Sequence, residues 1–338
     1  MVDSPRLGLR RFSTRSQPRG CKPRHQFIGK PRPSSGFPAW AGPLYNPHTS
    51  MTPGTQAKYS DPASPDGSRD FSKPTATLGV VSYLNALPLY STLIGRERVA
   101  IRAAVPAKLA ALLASGGCDC AMLPVVDYFR RKNALEPVGD GCIASDGETL
   151  TVRVFSRVPP DKVTRLCVDG ESHTSVILAQ VIWRELYGRA LELVPLPGDG
   201  TSPDETIRAV AASGAADDAP DSILLIGDKV IRQAPRGYGF EVDLGAAWKH
   251  LTGLPFVFAA WFGPRGRDHS ALARLLGAAR DAGVASAAQL AEAAAAKHGW
   301  PKAIAVEYLC HTLKYALTPA MREAMDRFEM LARREGLL

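Results

Sequence analysis

The run Thr77-Leu78-Gly79-Val80-Val81 constrains the fold most, because it is apolar without alternation and stops abruptly at Ser82-Tyr83-Leu84-Asn85. A short β-branched run of this kind fills a strand covered on both faces, as in a parallel sheet flanked by helices. Asn85 and Pro88 then stand where a helix begins, one as a cap and the other in the first turn. Ser82, Tyr83 and Asn85 are thereby placed at the carboxyl end of a first strand, which in open α/β sheets is where ligands bind. From these residues alone, Asn85 is equally consistent with a cap on a free backbone N–H and with a ligand contact.

The same strand-then-helix order recurs downstream. Residues 99–105 predict a second strand, and Pro106 opens a helix with Leu109, Leu112 and Leu113 on one face, stopped by Gly116-Gly117. Cys120-Ala121-Met122-Leu123 predicts a third strand, broken by Pro124, so strand, helix and strand form a right-handed βαβ unit. Residues 143–148 read as a polar turn, and residues 150–155 leave it as a strand. Pro159-Pro160 marks a composition break, read as the first crossing between two lobes. Beyond it, residues 166–168 predict a strand. Ser172-His173-Thr174-Ser175 then leads a helix with Ile177, Leu178, Val181, Ile182 and Leu186 on one side, capped by Ser172 or Thr174. Such a helix start, with its free N–H groups and positive dipole end, is a natural site for a carboxylate.

Residues 191–195 predict another strand, and Ser202-Pro203-Asp204-Glu205 is a capping box that opens a helix toward Ser213 and carries no chemistry. The apolar strand 222–226 ends at Gly227-Asp228, where the acid is either a cap or a cleft residue. A short helix starts at Asp243, the strand 255–261 is the return crossing, and helices follow over 268–283, 286–298, 303–309 and 319–336. The fold class expected is therefore α/β with two lobes and a cleft between them. Residues 77–158 and 255–338 form lobe I, and 159–254 form lobe II inserted into it.

The 338 residues carry 41 Lys/Arg against 33 Asp/Glu, a formal net charge of +8. Residues 1–76 hold twelve of those bases and four of those acids, so the rest carries 29 of each sign and offers no electrostatic case for nucleic acid. The 1–76 segment is rich in Pro, Arg, Ser and Gly with no apolar period, and is expected to be disordered. It has no apolar h-region ahead of a small-residue cleavage site, and no 20-residue apolar run occurs anywhere, so neither export nor a membrane span is expected. The six cysteines, Cys21, Cys118, Cys120, Cys142, Cys167 and Cys310, form no Cys-x-x-Cys pair. The expectation is reduced thiols in a cytoplasmic protein, with no metal.

Seven motifs stand in one order along the chain: Ser82-Tyr83-Leu84-Asn85 with Pro88-Leu89; Leu123-Pro124-Val125; Cys142-Ile143-Ala144-Ser145 with Gly147; Phe155-Ser156-Arg157-Val158-Pro159; Thr174-Ser175; Leu225-Ile226-Gly227-Asp228; and Thr252-Gly253-Leu254-Pro255-Phe256-Val257-Phe258-Ala259. Together they resemble the menaquinone-pathway chorismate dehydratases, the MqnA family, over about residues 77–338. The resemblance implies a periplasmic-binding-protein-like fold of the second type, a Venus flytrap, used as an enzyme. Its activity would be loss of water from chorismate to give 3-[(1-carboxyvinyl)oxy]benzoate in the futalosine route, with no cofactor. It implies Asn85 and Thr151 as catalytic residues and Ser172, Thr174 and Ser175 as an anion-binding helix start; substrate contacts are expected as well from Ser82, Tyr83, Ser145, His173, Gly227 and Asp228. His173 stands where members of the family often carry Arg, and Thr151 where they can carry Ser.

In this chemistry a C3 proton and the C4 hydroxyl leave and a benzene ring forms, so the task is mainly positioning. An amide is not basic at neutral pH, which gives Asn85 an orienting role. The proton acceptor is then the substrate's own enolpyruvyl carboxylate, with Asp228 or His173 as the competing assignment. A solute-binding protein for a small carboxylate anion would use the same fold. Such a protein is exported, and no apolar run precedes Cys21 as lipid attachment requires.

Overall fold

The computed structural model describes residues 75–168, 173–196, 221–232 and 237–338. The opening run forms β1 (Ala76–Val81), whose parallel neighbours are β2 (Val99–Ala104) and β3 (Cys120–Pro124). Helix α1 (Leu87–Tyr90) follows β1, α2 (Pro106–Ala114) joins β2 to β3, and α3 (Val125–Arg130) follows β3. Leu109 and Leu113 of α2 are buried, as the spacing of its apolar residues predicts.

Chain order continues through β4 (Leu135–Ser145), β5 (Val152–Ser156), β6 (Arg165–Val168), α4 (His173–Tyr187) and β7 (Glu192–Pro195). After the gap come β8 (Ser222–Ile226), α5 (Asp228–Arg232), β9 (Phe240–Asp243), α6 (Leu244–Thr252) and β10 (Phe256–Pro264). The chain ends with α7 (Ser270–Ala285), α8 (Ala287–His298), α9 (Lys302–Glu307), β11 (Leu313–Ala316) and α10 (Pro319–Arg334).

The strands form two sheets. One runs β11-β4-β10-β3-β1-β2 and the other β7-β6-β8-β5-β9. The chain passes between them twice, through residues 146–151 and through α6. Trp248 of α6 and Phe328 of α10 pack edge-on around Phe256 of β10, with ring centroids 5.3 and 4.9 Å from it. This seats the second crossing and the C-terminal helix on the first sheet.

Four expectations change. The first crossing lies before Thr151 and not at Pro159-Pro160, because β5 pairs antiparallel with β8 and β9 and so belongs to the second sheet. Residues 143–145 are the end of the eleven-residue strand β4 and not a turn. Polar and Gly residues obscure β4 in sequence, but β10 and β11 pair with it on either side. Leu150 is not extended: its φ of 61° is left-handed. Ala76 belongs to β1, one residue before the expected strand start at 77. The expected disorder of residues 1–74, the capping box at Ser202 with its helix, and a cap at Ser172 all lie outside the described residues.

Candidate active site

The carboxyl ends of β1 and β3 face the start of α4 and the end of β8 across a cleft of about 630 Å³, counting the part open to solvent. Tyr83 and Asn85 reach the cleft because β1 stops at Val81 and the chain turns there into a 3-10 turn at Leu84–Ala86. Thr149 and Thr151 reach it from the first crossing, and Thr174 and Ser175 from the first turn of α4. The free N–H groups of that turn and the positive end of a fifteen-residue helix therefore border the cleft.

The first crossing is tied down by Asp243, the N-cap of α6. Its carboxylate accepts from the Thr149 N–H at 3.0 Å, the Thr149 hydroxyl at 3.0 Å and the Leu150 N–H at 2.9 Å. It also accepts from Gly245 N at 3.0 Å and Ala246 N at 3.1 Å. The bond to Leu150 holds that residue in its left-handed conformation and sets the direction in which Thr151 leaves. Gly245 is required here, since a Cβ on it would lie 2.4 Å from the Gly147 carbonyl and 2.4 Å from Thr149 Cγ2. Thr151 is held further by the Gly227 N–H, which donates to its carbonyl at 2.8 Å. Gly227 itself has a left-handed φ of 63°, and the Tyr83 ring lies 3.6 Å from where a Cβ would stand.

Six of the eleven sequence-predicted site residues line the cleft: Tyr83, Asn85, Thr151, Thr174, Ser175 and Gly227. The Thr174 hydroxyl donates to the Phe258 carbonyl at 3.2 Å and receives Val126 N–H at 3.5 Å, so it also fastens α4 to the first sheet. Ser172 is outside the described residues. Four others are not among the cleft-lining residues. Ser82 is exposed beside it. Ser145 is fully buried and donates to the Gly147 carbonyl at 3.2 Å, inside the crossing.

His173 Nδ1 lies 2.8 Å from Asp127 Oδ1, pairing the start of α4 with α3. Asp228 has both oxygens taken, by His298 Nδ1 at 2.7 Å and by the Trp300 N–H at 2.8 Å, so it joins the end of β8 to the region after α8. Each of these pairs spans the two sheets. Neither offers a free base to the cleft.

Two lining residues with polar side chains escaped the sequence reading. Thr149 is one. The other is Tyr308, which begins a five-residue π-helical turn, Tyr308–Thr312, where a plain helix over 303–309 is expected. Its hydroxyl lies 2.7 Å from Thr151 Oγ1, and burial pushes its pKa up, so it is protonated at neutral pH. A π-turn interrupting a helical stretch is the one signal that marks such a position, and it is a signal of structure rather than of sequence. Among the described lining residues there is no Asp, Glu, His, Lys, Arg or Cys. Among the described residues no three His, Cys, Asp or Glu side chains group so as to hold a metal ion, and no helix is long and apolar enough to cross a membrane.

Two α/β sheets joined by two crossings with a cleft between them define the class: a periplasmic-binding-protein-like clamshell. Solved structures agree. A protein of Archaeoglobus fulgidus matches with TM-score 0.60 at 14% identity, covering 78% of this chain and 98% of that one. The alkanesulfonate-binding protein SsuA of Xanthomonas axonopodis pv. citri matches with TM-score 0.52 at 13% identity, covering 79% and 95%. At those identities the likeness is one of fold. The family model described as menaquinone biosynthesis matches residues 76–334, and the chain belongs to that family. A chorismate dehydratase of Thermus thermophilus is 29% identical over 279 residues, 77% of this chain and 94% of that protein.

Proposed function

We propose that the protein is a chorismate dehydratase, a cytoplasmic hydro-lyase that needs no metal or organic cofactor. It would convert chorismate to 3-[(1-carboxyvinyl)oxy]benzoate and water in the futalosine route to menaquinone. Beyond family membership, the observation that carries the reading is the neutrality of the cleft, whose described lining offers hydroxyls, one amide and apolar walls but no ionisable base.

The proton acceptor is then the substrate's enolpyruvyl carboxylate. It takes the proton from C3, the C3–H electrons form the C3–C4 double bond, and the C4 hydroxyl leaves with its bonding pair, receiving that same proton from the carboxylic acid so formed to depart as water. Aromatisation drives the step, and the protein holds the carboxylate near C3 and excludes solvent. The first turn of α4 suits a substrate carboxylate. Asn85 Oδ1 is buried without a hydrogen-bond partner, an acceptor suited to the C4 hydroxyl.

The test is incubation of the full chain with chorismate, with loss of one water followed by mass spectrometry, and Asn85→Ala alongside. Aromatic product from the unmutated protein, with turnover cut about 10²-fold or more in Asn85→Ala, is expected. Tight binding without conversion would make the protein a solute-binding protein on this scaffold. An analogue lacking the enolpyruvyl carboxylate that turns over normally would remove the substrate-assisted step.

A further inference from the structure

The cleft's two principal polar groups, Asn85 and Thr151, converge on one buried phenol. Tyr308 is 2% exposed, and its hydroxyl contacts both of them. The directions of these bonds can be worked out. Asn85 Oδ1 has no partner, so the amide meets Tyr308 through Nδ2, as donor. The phenol oxygen therefore accepts from Asn85. The phenol proton is buried and must find an acceptor, and Thr151 Oγ1 at 2.7 Å supplies one. The Thr151 proton is left with only a long contact of 3.4 Å to the Thr149 carbonyl, and so is available to a ligand.

The phenol ring is itself fixed from behind. It stacks on Trp300 at 4.9 Å between centroids and 26° between planes, and the indole N–H is held by Asp228, which also binds His298. Asp228 thus contributes to the site through Trp300 and Tyr308.

We infer that Tyr308 is the positioning residue that sets the hydrogen-bond polarity of the cleft, turning Asn85 so that its oxygen accepts from the ligand and Thr151 so that its hydroxyl donates to it. The inference rests on the proposed dehydratase reading. Tyr308 is not a base toward substrate, because burial holds its pKa up and the tyrosinate is disfavoured. Its effect passes through Asn85 and Thr151. Without the hydroxyl, the Asn85 amide loses the contact that distinguishes its oxygen from its nitrogen, and the Thr151 hydroxyl is free to rotate.

The experiment compares wild type, Tyr308→Phe, Thr151→Ala and the double variant on chorismate in the full chain. Tyr308→Phe keeps the ring and its stack on Trp300. The expected result is a kcat lowered about 10²-fold with KM within about threefold, and a double variant whose loss is smaller than the product of the two single losses, because the part of the Tyr308 effect that passes through Thr151 is already gone. An unchanged kcat in Tyr308→Phe, or losses that multiply in the double variant, overturns the inference while leaving the dehydratase reading intact. Absence of turnover by wild type overturns that reading, and the inference with it. Should Tyr308→Phe not fold, exchange of the Asn85 side-chain amide protons in wild type decides the matter. One slowly exchanging N–H is expected, and two fast ones overturn the assignment.

Discussion

Asp243→Ala is expected to loosen the crossing that carries Thr151. The carboxylate accepts from five donors, namely the backbone N–H groups of Thr149, Leu150, Gly245 and Ala246 and the Thr149 hydroxyl. Loss of an N-cap costs about 1 kcal/mol. Leaving the buried Thr149 and Leu150 N–H groups without an acceptor costs a further ~1–3 kcal/mol between them once some relaxation is allowed. The total is about 2–4 kcal/mol, which for a folded region of this size is a fall in Tm of roughly 4–16 °C. Asp243→Asn keeps one acceptor oxygen and should lose about half as much. Scanning calorimetry gives the Tm values. Hydrogen exchange at Leu150 N–H, slow in wild type and fast in Asp243→Ala, locates the change. A fall under about 3 °C, or equal falls for Ala and Asn, would refute the claim that these bonds fasten the crossing.

Gly245→Ala should be destabilising by about 1–3 kcal/mol, because its Cβ meets backbone at Gly147 as well as the methyl of Thr149 and cannot be accommodated by turning one side chain. Chemical denaturation reports this as a lower midpoint with unchanged slope, and an unchanged midpoint would mean that the crossing yields easily. Glu335 supplies a pH-dependent term. Partial burial works to raise its pKa, but hydrogen bonds from Arg184 and Arg334 and their charges outweigh this and hold it below the ordinary value of 4.5. A depressed carboxylate stabilises the fold above its unfolded pKa, and that contribution disappears as pH falls through the folded one. Glu335→Gln should therefore lower Tm by roughly 1–3 °C at pH 7, with the gap to wild type closing progressively below pH 4.5; a gap independent of pH would contradict the linkage.

The strands that sequence displays most clearly are the ones buried on both faces. β1, β3 and β8 read directly as largely apolar runs because both of their faces are buried. β4 is hidden because it contains Glu136-Pro137 and Gly139-Asp140-Gly141, and its pairing with β10 and β11 decides its state. Gly141 is needed where Trp261 crosses it, since a Cβ there would lie 2.8 Å from the indole. The chain turn at Tyr83 and Asn85 was legible because strand end and helix start are neighbours in sequence. Asp243 was legible as a helix start, but its grip on Thr149 reaches 94 residues back along the chain, and no local pattern reports that. Tyr308 was hidden for the same reason, being 157 residues from Thr151.

The fate of His173 and Asp228 bears on how a binding-protein fold can carry out an elimination. Both look like candidate bases in sequence, and both are committed to pairs that bridge the two sheets, with Asp127 and with His298 and Trp300. Using ionisable groups to hold the lobes together leaves the described cleft lining neutral. A neutral cleft stabilises an incoming dianion less than water does, apart from the helix start, which in the proposed reading takes one carboxylate. On that reading the second carboxylate would be unpaired, and desolvation, which disfavours the charged form, would make it more basic. In the proposed reaction that is the carboxylate next to the C3 proton, so the absence of a protein base from the described lining and the basicity of the substrate's own carboxylate have one physical cause. Placing a cation in the lining, as Val152→Lys would, is therefore expected to tighten chorismate binding while slowing its conversion. Weaker binding with unchanged turnover would separate the two.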